Sequence, residues 1–112
     1  MKTSELTGAA LDWAVAKCEG RNIKLHMFWE YRTHNNMFHY STDWAQGGSI
    51  IEREGISPKH WGDDWETPWS AAKTTGHYEG GMYFGPTPLI AAMRCYVASR
   101  LGDDVTLPDG LV

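Results

Sequence analysis

Apolar residues recur at Leu89, Ala92, Met93, Tyr96 and Val97, the i, i+3, i+4, i+7, i+8 spacing of a helix with one buried face. Thr87 is a good N-cap for it, Pro88 suits the first helical position, and Gly102 supplies a stop. A second helix is predicted over 7–19, where Leu11, Ala14, Val15 and Cys18 share a face that Ala10 and Trp13 widen. Asp12 falls on its outer side and Gly20 ends it. Small residues on both helices permit close backbone approach.

The period shortens to two at 23–29, predicting a strand with Ile23, Leu25 and Met27 inward and His26 outward. The polar run 32–36 reads as a loop and 37–40 as a second extended segment, so that the two form a hairpin. Gly47-Gly48 reads as a tight turn, after which 49–56 fits either a short strand or a helical turn. Regular patterning fails between 57 and 84, where Pro58, Pro68 and four glycines interleave with Trp61, Trp65 and Trp69. A loop-rich layer is expected there, with a helical turn at 69–73 and a strand at 81–84. Residues 103–108 read as an extended tail with a disorder-prone end. The sum is an α+β fold: two helices on a small antiparallel sheet, beside a long aromatic- and glycine-rich loop layer.

At 112 residues, with 42% hydrophobic and 12% aromatic content, the chain fits one folded domain spanning 1–112. Its 10 Lys+Arg against 14 Asp+Glu give a formal charge of −4, which disfavours binding to duplex nucleic acid. The first residues lack an apolar signal core and no stretch is long enough to cross a bilayer, so a cytoplasmic protein without membrane partners is expected. Cys18 and Cys95 lie inside predicted helices and read as reduced core residues.

Three constellations carry candidate chemistry. In Asp43-Trp44-Ala45-Gln46-Gly47-Gly48 a carboxylate, an indole, an amide and a flexible backbone suit a nucleobase-like ring, though a turn around a buried Trp uses the same residues. The helix start at Thr87 with Arg94 two turns on offers donors to phosphate, or an ordinary cap. The histidines His26, His34, His39, His60 and His77 show no metal-ligand spacing; His34, His39, Asp63 and Asp64 are the nearest to a set, and neither a metal nor a cofactor is expected. Glu52 and Glu54, on one face of a strand, read as surface charges around Arg53. Trp61, Trp65 and Trp69 either plug gaps under the loop layer or form an exposed surface for a ring ligand, a single strand, a protein partner or a second copy of the chain.

Three blocks carry a family resemblance: Leu6-Thr7-Gly8-Ala9-Ala10-Leu11-Asp12-Trp13 with the rest of 6–17; Tyr40-Ser41-Thr42-Asp43-Trp44-Ala45-Gln46-Gly47-Gly48 with the rest of 40–54; and Pro88-Leu89-Ile90-Ala91-Ala92-Met93-Arg94-Cys95-Tyr96 with the rest of 88–99. They resemble the NinX-like proteins of P22-type phages, small phage and prophage proteins without an assigned activity. Ser49 departs from that pattern, which has a proline there. The resemblance implies a phage accessory protein made in a bacterial host and transfers no activity. The residues themselves favour a noncatalytic binder of a small host molecule, nucleotide-like if Trp44, Gln46, Thr87 and Arg94 converge. A host-takeover module docking on a bacterial protein is the alternative, and a hydrolase acting on a nucleotide-like substrate comes third.

Overall fold

The computed structural model describes residues 1–62, 66–73 and 81–111. After a 3-10 turn at Thr3–Glu5 come helices α1 (Gly8–Cys18), α2 (Leu25–His34) and α3 (Trp44–Glu54), strands β1 (Ile56–His60), β2 (Trp69–Lys73) and β3 (Tyr83–Gly85), and helix α4 (Pro88–Leu101). The strands form an antiparallel sheet in the order β1-β2-β3, with Ile56 opposite Lys73, His60 opposite Trp69, and Trp69 opposite Gly85. The fold is α+β.

Helix α4 is the centre of the molecule, meeting α1, α3 and all three strands. Its five predicted core positions are buried, and so are Ala91, Cys95 and Ala98. Its two ends obey the local chemistry: Thr87 Oγ1 accepts the Ile90 N–H at 3.1 Å, and Gly102 sits at φ +84°. Helix α1 begins after Thr7, whose side chain makes no cap bond, and ends at Cys18, just before the predicted stop at Gly20, which has φ +77°. Cys18 and Cys95 are free thiols, and burial pushes both up to about 11.

Several expectations are corrected. Residues 23–29 begin helix α2 instead of a strand, with Phe28 fully buried and Trp29 exposed. Residues 37–40 are irregular, so no hairpin forms there. Gly47 and Gly48 lie inside α3, and 69–73 is the central strand instead of a helical turn. The stretch 57–84 therefore supplies most of the sheet. Asp12 is buried instead of outward-facing, because α1 is sandwiched between the main core and a second cluster. That second cluster joins Ala16, Phe28 and Phe38 to Leu111, so Leu111 packs inward where the sequence predicts a disorder-prone end.

A close approach explains why α3 tolerates paired glycines. A Cβ at Gly47 would lie 2.3 Å from the Tyr40 carbonyl oxygen and 2.6 Å from Leu89 Cδ1, whereas one at Gly48 would meet Trp44 at an ordinary 3.5 Å. Gly47→Ala is expected to destabilise by about 1–3 kcal/mol through overpacking. Gly48→Ala is expected to stabilise by about 0.5–1 kcal/mol through helix propensity. Urea denaturation of the two variants checks the opposite signs.

Candidate functional site

The structure separates the residues that the sequence grouped. Trp44, 55% exposed, and Thr87 do share a recess of about 180 Å³, where the N-termini of α3 and α4 meet. None of its described lining residues is charged. Asp43 caps α3, its Oδ1 accepting from the Ala45 N–H at 2.9 Å. Gln46 turns away from the recess to donate to the Asn36 carbonyl at 2.7 Å and accept from the His39 N–H at 2.8 Å. Arg94 is a strap, with Nε donating to the Leu6 carbonyl at 2.8 Å and Nη1 to the Phe84 carbonyl at 2.7 Å. Gly47 is buried against Leu89, and Gly48 lies beside Trp44. The anticipated convergence of Trp44, Gln46, Thr87 and Arg94 is thus corrected: Trp44 and Thr87 share the recess, while Gln46 and Arg94 are engaged with backbone groups elsewhere.

The tryptophans divide too. Trp61 is 45% exposed on the outer face of the sheet, where its Nε1 donates to Ser70 Oγ at 2.6 Å and Lys59 stacks on its ring. Trp69 packs against the main core and His60 on the opposite face. Trp65 lies outside the described residues, as do Asp63, Asp64 and His77. His39 Nε2 is 3.0 Å from the Arg32 carbonyl, His34 is 3.7 Å from Glu30, and no metal-binding cluster occurs among the described residues.

A different region brings unspent chemistry together. Buried Asp12 of α1 accepts from Arg32 Nη1 of α2 through Oδ2 and from the Ser41 N–H through Oδ1 at 2.8 Å. Arg32 Nη1 also donates to the Phe38 carbonyl at 2.6 Å. With Gln46 holding Asn36 and His39 from α3, three helices pin the segment 36–41. Pinning is needed, because Asn36 sits at φ +54° and Phe38 at φ +61°, the latter a costly conformation for a bulky side chain. The reward is placement of the Phe38 ring in the second cluster, stacked on Phe28 at 5.3 Å, where the residue helps line an open groove.

That groove has three confluent recesses. The largest, about 700 Å³, is walled by Ile23, Met27, Tyr31, Met37 and Phe38. Another of about 310 Å³ lies between Trp13 and Lys17, and a third of about 330 Å³ between Asn36, Tyr40 and Gln46. Arg21 lines all three. None of the described lining residues is Asp or Glu, although the chain carries 14 of them. Neither Arg21 nor Lys17 pairs with a carboxylate among the described residues. Burial raises the Tyr40 phenol above its ordinary range, against the pull of the adjacent Arg21 guanidinium. Sequence reasoning missed this site because Arg21 follows a helix stop in a loop without a motif. The one local hint was Asp12, flanked on the helix surface by small Ala9 and Ala16.

The acidic pair expected on a strand face is corrected as well. Glu52 is exposed on α3, while Glu54 is buried and receives Arg53 Nε at 2.9 Å, Lys73 Nζ at 3.1 Å and Arg100 Nη2 at 3.4 Å. Beside it, Glu19 accepts from Arg53 Nη2 at 2.6 Å and from the Tyr96 hydroxyl at 2.5 Å. Among the described residues, three cations thus meet two carboxylates here, joining the end of α1 to α3, α4 and β2. Among the described residues no helix is long and apolar enough to cross a membrane.

No curated protein matches the chain. The family model described as Bacteriophage P22, NinX matches residues 2–100, which include α1 through α3, the sheet and nearly all of α4. The chain belongs to this phage NinX family.

Proposed function

We propose that this phage accessory protein is a noncatalytic binder of a small anionic host molecule with a planar body, nucleotide-like in character, and that it holds this ligand in the groove around Arg21. One observation carries the reading: an arginine that has no carboxylate partner among the described residues stands among aromatic, methionine and amide side chains in a chain of net charge −4. A recess of about 700 Å³ lies within the range of about 300–1,000 Å³ typical of small-molecule sites. Guanidinium recognises phosphate or carboxylate through paired N–H donors, and the surrounding rings accept a planar body.

Thermal-shift titration with mononucleotides and aromatic carboxylates tests it. A ligand at about 100 times its Kd adds about 2.7 kcal/mol to native stability, a shift of several degrees in a domain of this size. Arg21→Ala is expected to abolish the shift while leaving the unliganded melting temperature nearly unchanged, since Arg21 is exposed. A flat response of the wild-type protein across both ligand classes overturns the reading.

The exposure of Trp61 at 45% and Phe84 at 42% on the outer sheet face, flanking Ser70, favours docking on a bacterial host protein as a second reading. It requires a host protein whose capture by this chain is lost in Trp61→Ala.

A further inference from the structure

We infer that the ligand of the Arg21 groove carries its negative charge between two planar arms, as a phosphodiester joining two nucleosides does, and not at one end. This rests on the reading given above and assigns the ligand class. Among the described residues, the recess between Trp13 and Lys17 and the recess between Asn36 and Gln46 have Arg21 as their one shared lining residue. Each joins the large recess along a different flank, the first through Gly20, Asn22 and Ile23, the second through Met37 and Phe38. A ligand reaching from one small recess to the other therefore passes Arg21, the residue that the two share.

The two small recesses are closely matched, at about 310 and 330 Å³. Each pairs one aromatic ring with polar reach: Trp13 with Lys17 in one, Tyr40 with Asn36 in the other. A monoester such as a mononucleotide places its charge at a terminus, so on Arg21 it fills one arm and leaves the other empty. A diester with a ring at each end fills both, and tethering converts the second contact into an intramolecular one. The rigidity of the 36–41 segment, fixed by Asp12, Arg32 and Gln46, keeps the second arm formed before the ligand arrives.

Isothermal titration with a dinucleoside monophosphate (ApA) and with AMP tests this. ApA is expected to bind about a hundredfold more tightly than AMP. The exposed variants Lys17→Ala and Asn36→Gly, the latter suited to a positive φ, are expected each to weaken ApA about threefold to tenfold. Only one of the two should alter AMP binding, and Arg21→Ala should weaken both ligands. If AMP binds as tightly as ApA, or if an aromatic carboxylate binds and ApA does not, the two-armed assignment is wrong while the binding function stands. If no nucleotide or aromatic carboxylate binds, both are wrong.

Discussion

Asp12→Ala is expected to cost about 3–5 kcal/mol, because it leaves the Arg32 guanidinium inside the protein without its countercharge. That is a large part of the about 5–15 kcal/mol that holds an ordinary domain together. Asp12 is fully buried and Arg32 nearly so, at 17% side-chain exposure, so solvent screens the pair little. The loss extends beyond the pair. Asp12 also accepts the Ser41 N–H, and Arg32 holds the Phe38 carbonyl, so the positive-φ segment loses two of its restraints together. Urea denaturation measures the stability, and amide exchange across 36–41 measures the local release, which should exceed that of the α4 backbone. Replacing both partners, as in Asp12→Ala with Arg32→Met, should recover much of the stability without restoring protection at Ser41. If Asp12→Ala melts like the wild type, the pair does not organise this wall.

The elements that read correctly from sequence carry their instructions locally. In α4 the Thr87 cap, Pro88 and Gly102 lie within the helix's own span, and its apolar spacing matches the face that α1 and α3 cover. Helix α3 had equally good termini in Asp43, whose side chain caps Ala45, and in Gly55 at φ +64°. Its paired glycines concealed it, and they are there for a contact with Tyr40 and Leu89 that no local rule encodes. Helix α2 has no capping side chain at Lys24, and the alternation of Ile23, Leu25 and Met27 imitates a strand. Its true anchor, Phe28, is chosen by Phe38 and Trp13 from other segments.

The candidate site was harder to read for the same reason. An arginine's use depends on what surrounds it in space. Arg94 is taken by Leu6, 88 residues away, and Arg32 by Asp12, 20 residues away, while Arg21 meets no carboxylate among the described residues. Trp61 and Trp69 look like one series in sequence, yet strand pairing through His60 and Trp69 sends them to opposite faces. Long-range pairing therefore decides which polar side chains remain available to a ligand.

Glu54 provides the second large effect and a pH signature. Burial alone would raise its pKa, but hydrogen bonds from Arg53 and Lys73 and the charges of Lys73 and Arg100 prevail and bring it down to about 2 from 4.5. Glu19 is lowered as well, by its Arg53 hydrogen bonds against the cost of burial. A carboxylate whose folded value lies below its unfolded one adds stability that is complete above about pH 4.5 and is lost as the pH falls toward 2. The span corresponds to about 3 kcal/mol for Glu54. Glu54→Gln should therefore lower the melting temperature by about 10 °C or more near pH 7, since Arg53, Lys73 and Arg100 then face one another without the charge that joined them. The gap to wild type should narrow between pH 5 and pH 2.5, as the carboxyl of the unfolded chain takes up its proton while the native one stays charged down to about 2. Thermal melts of both proteins across that range check it. A gap that is absent at pH 7, or one that stays constant down to pH 2.5, would mean that the four-element junction is held by packing around Tyr96 and not by Glu54.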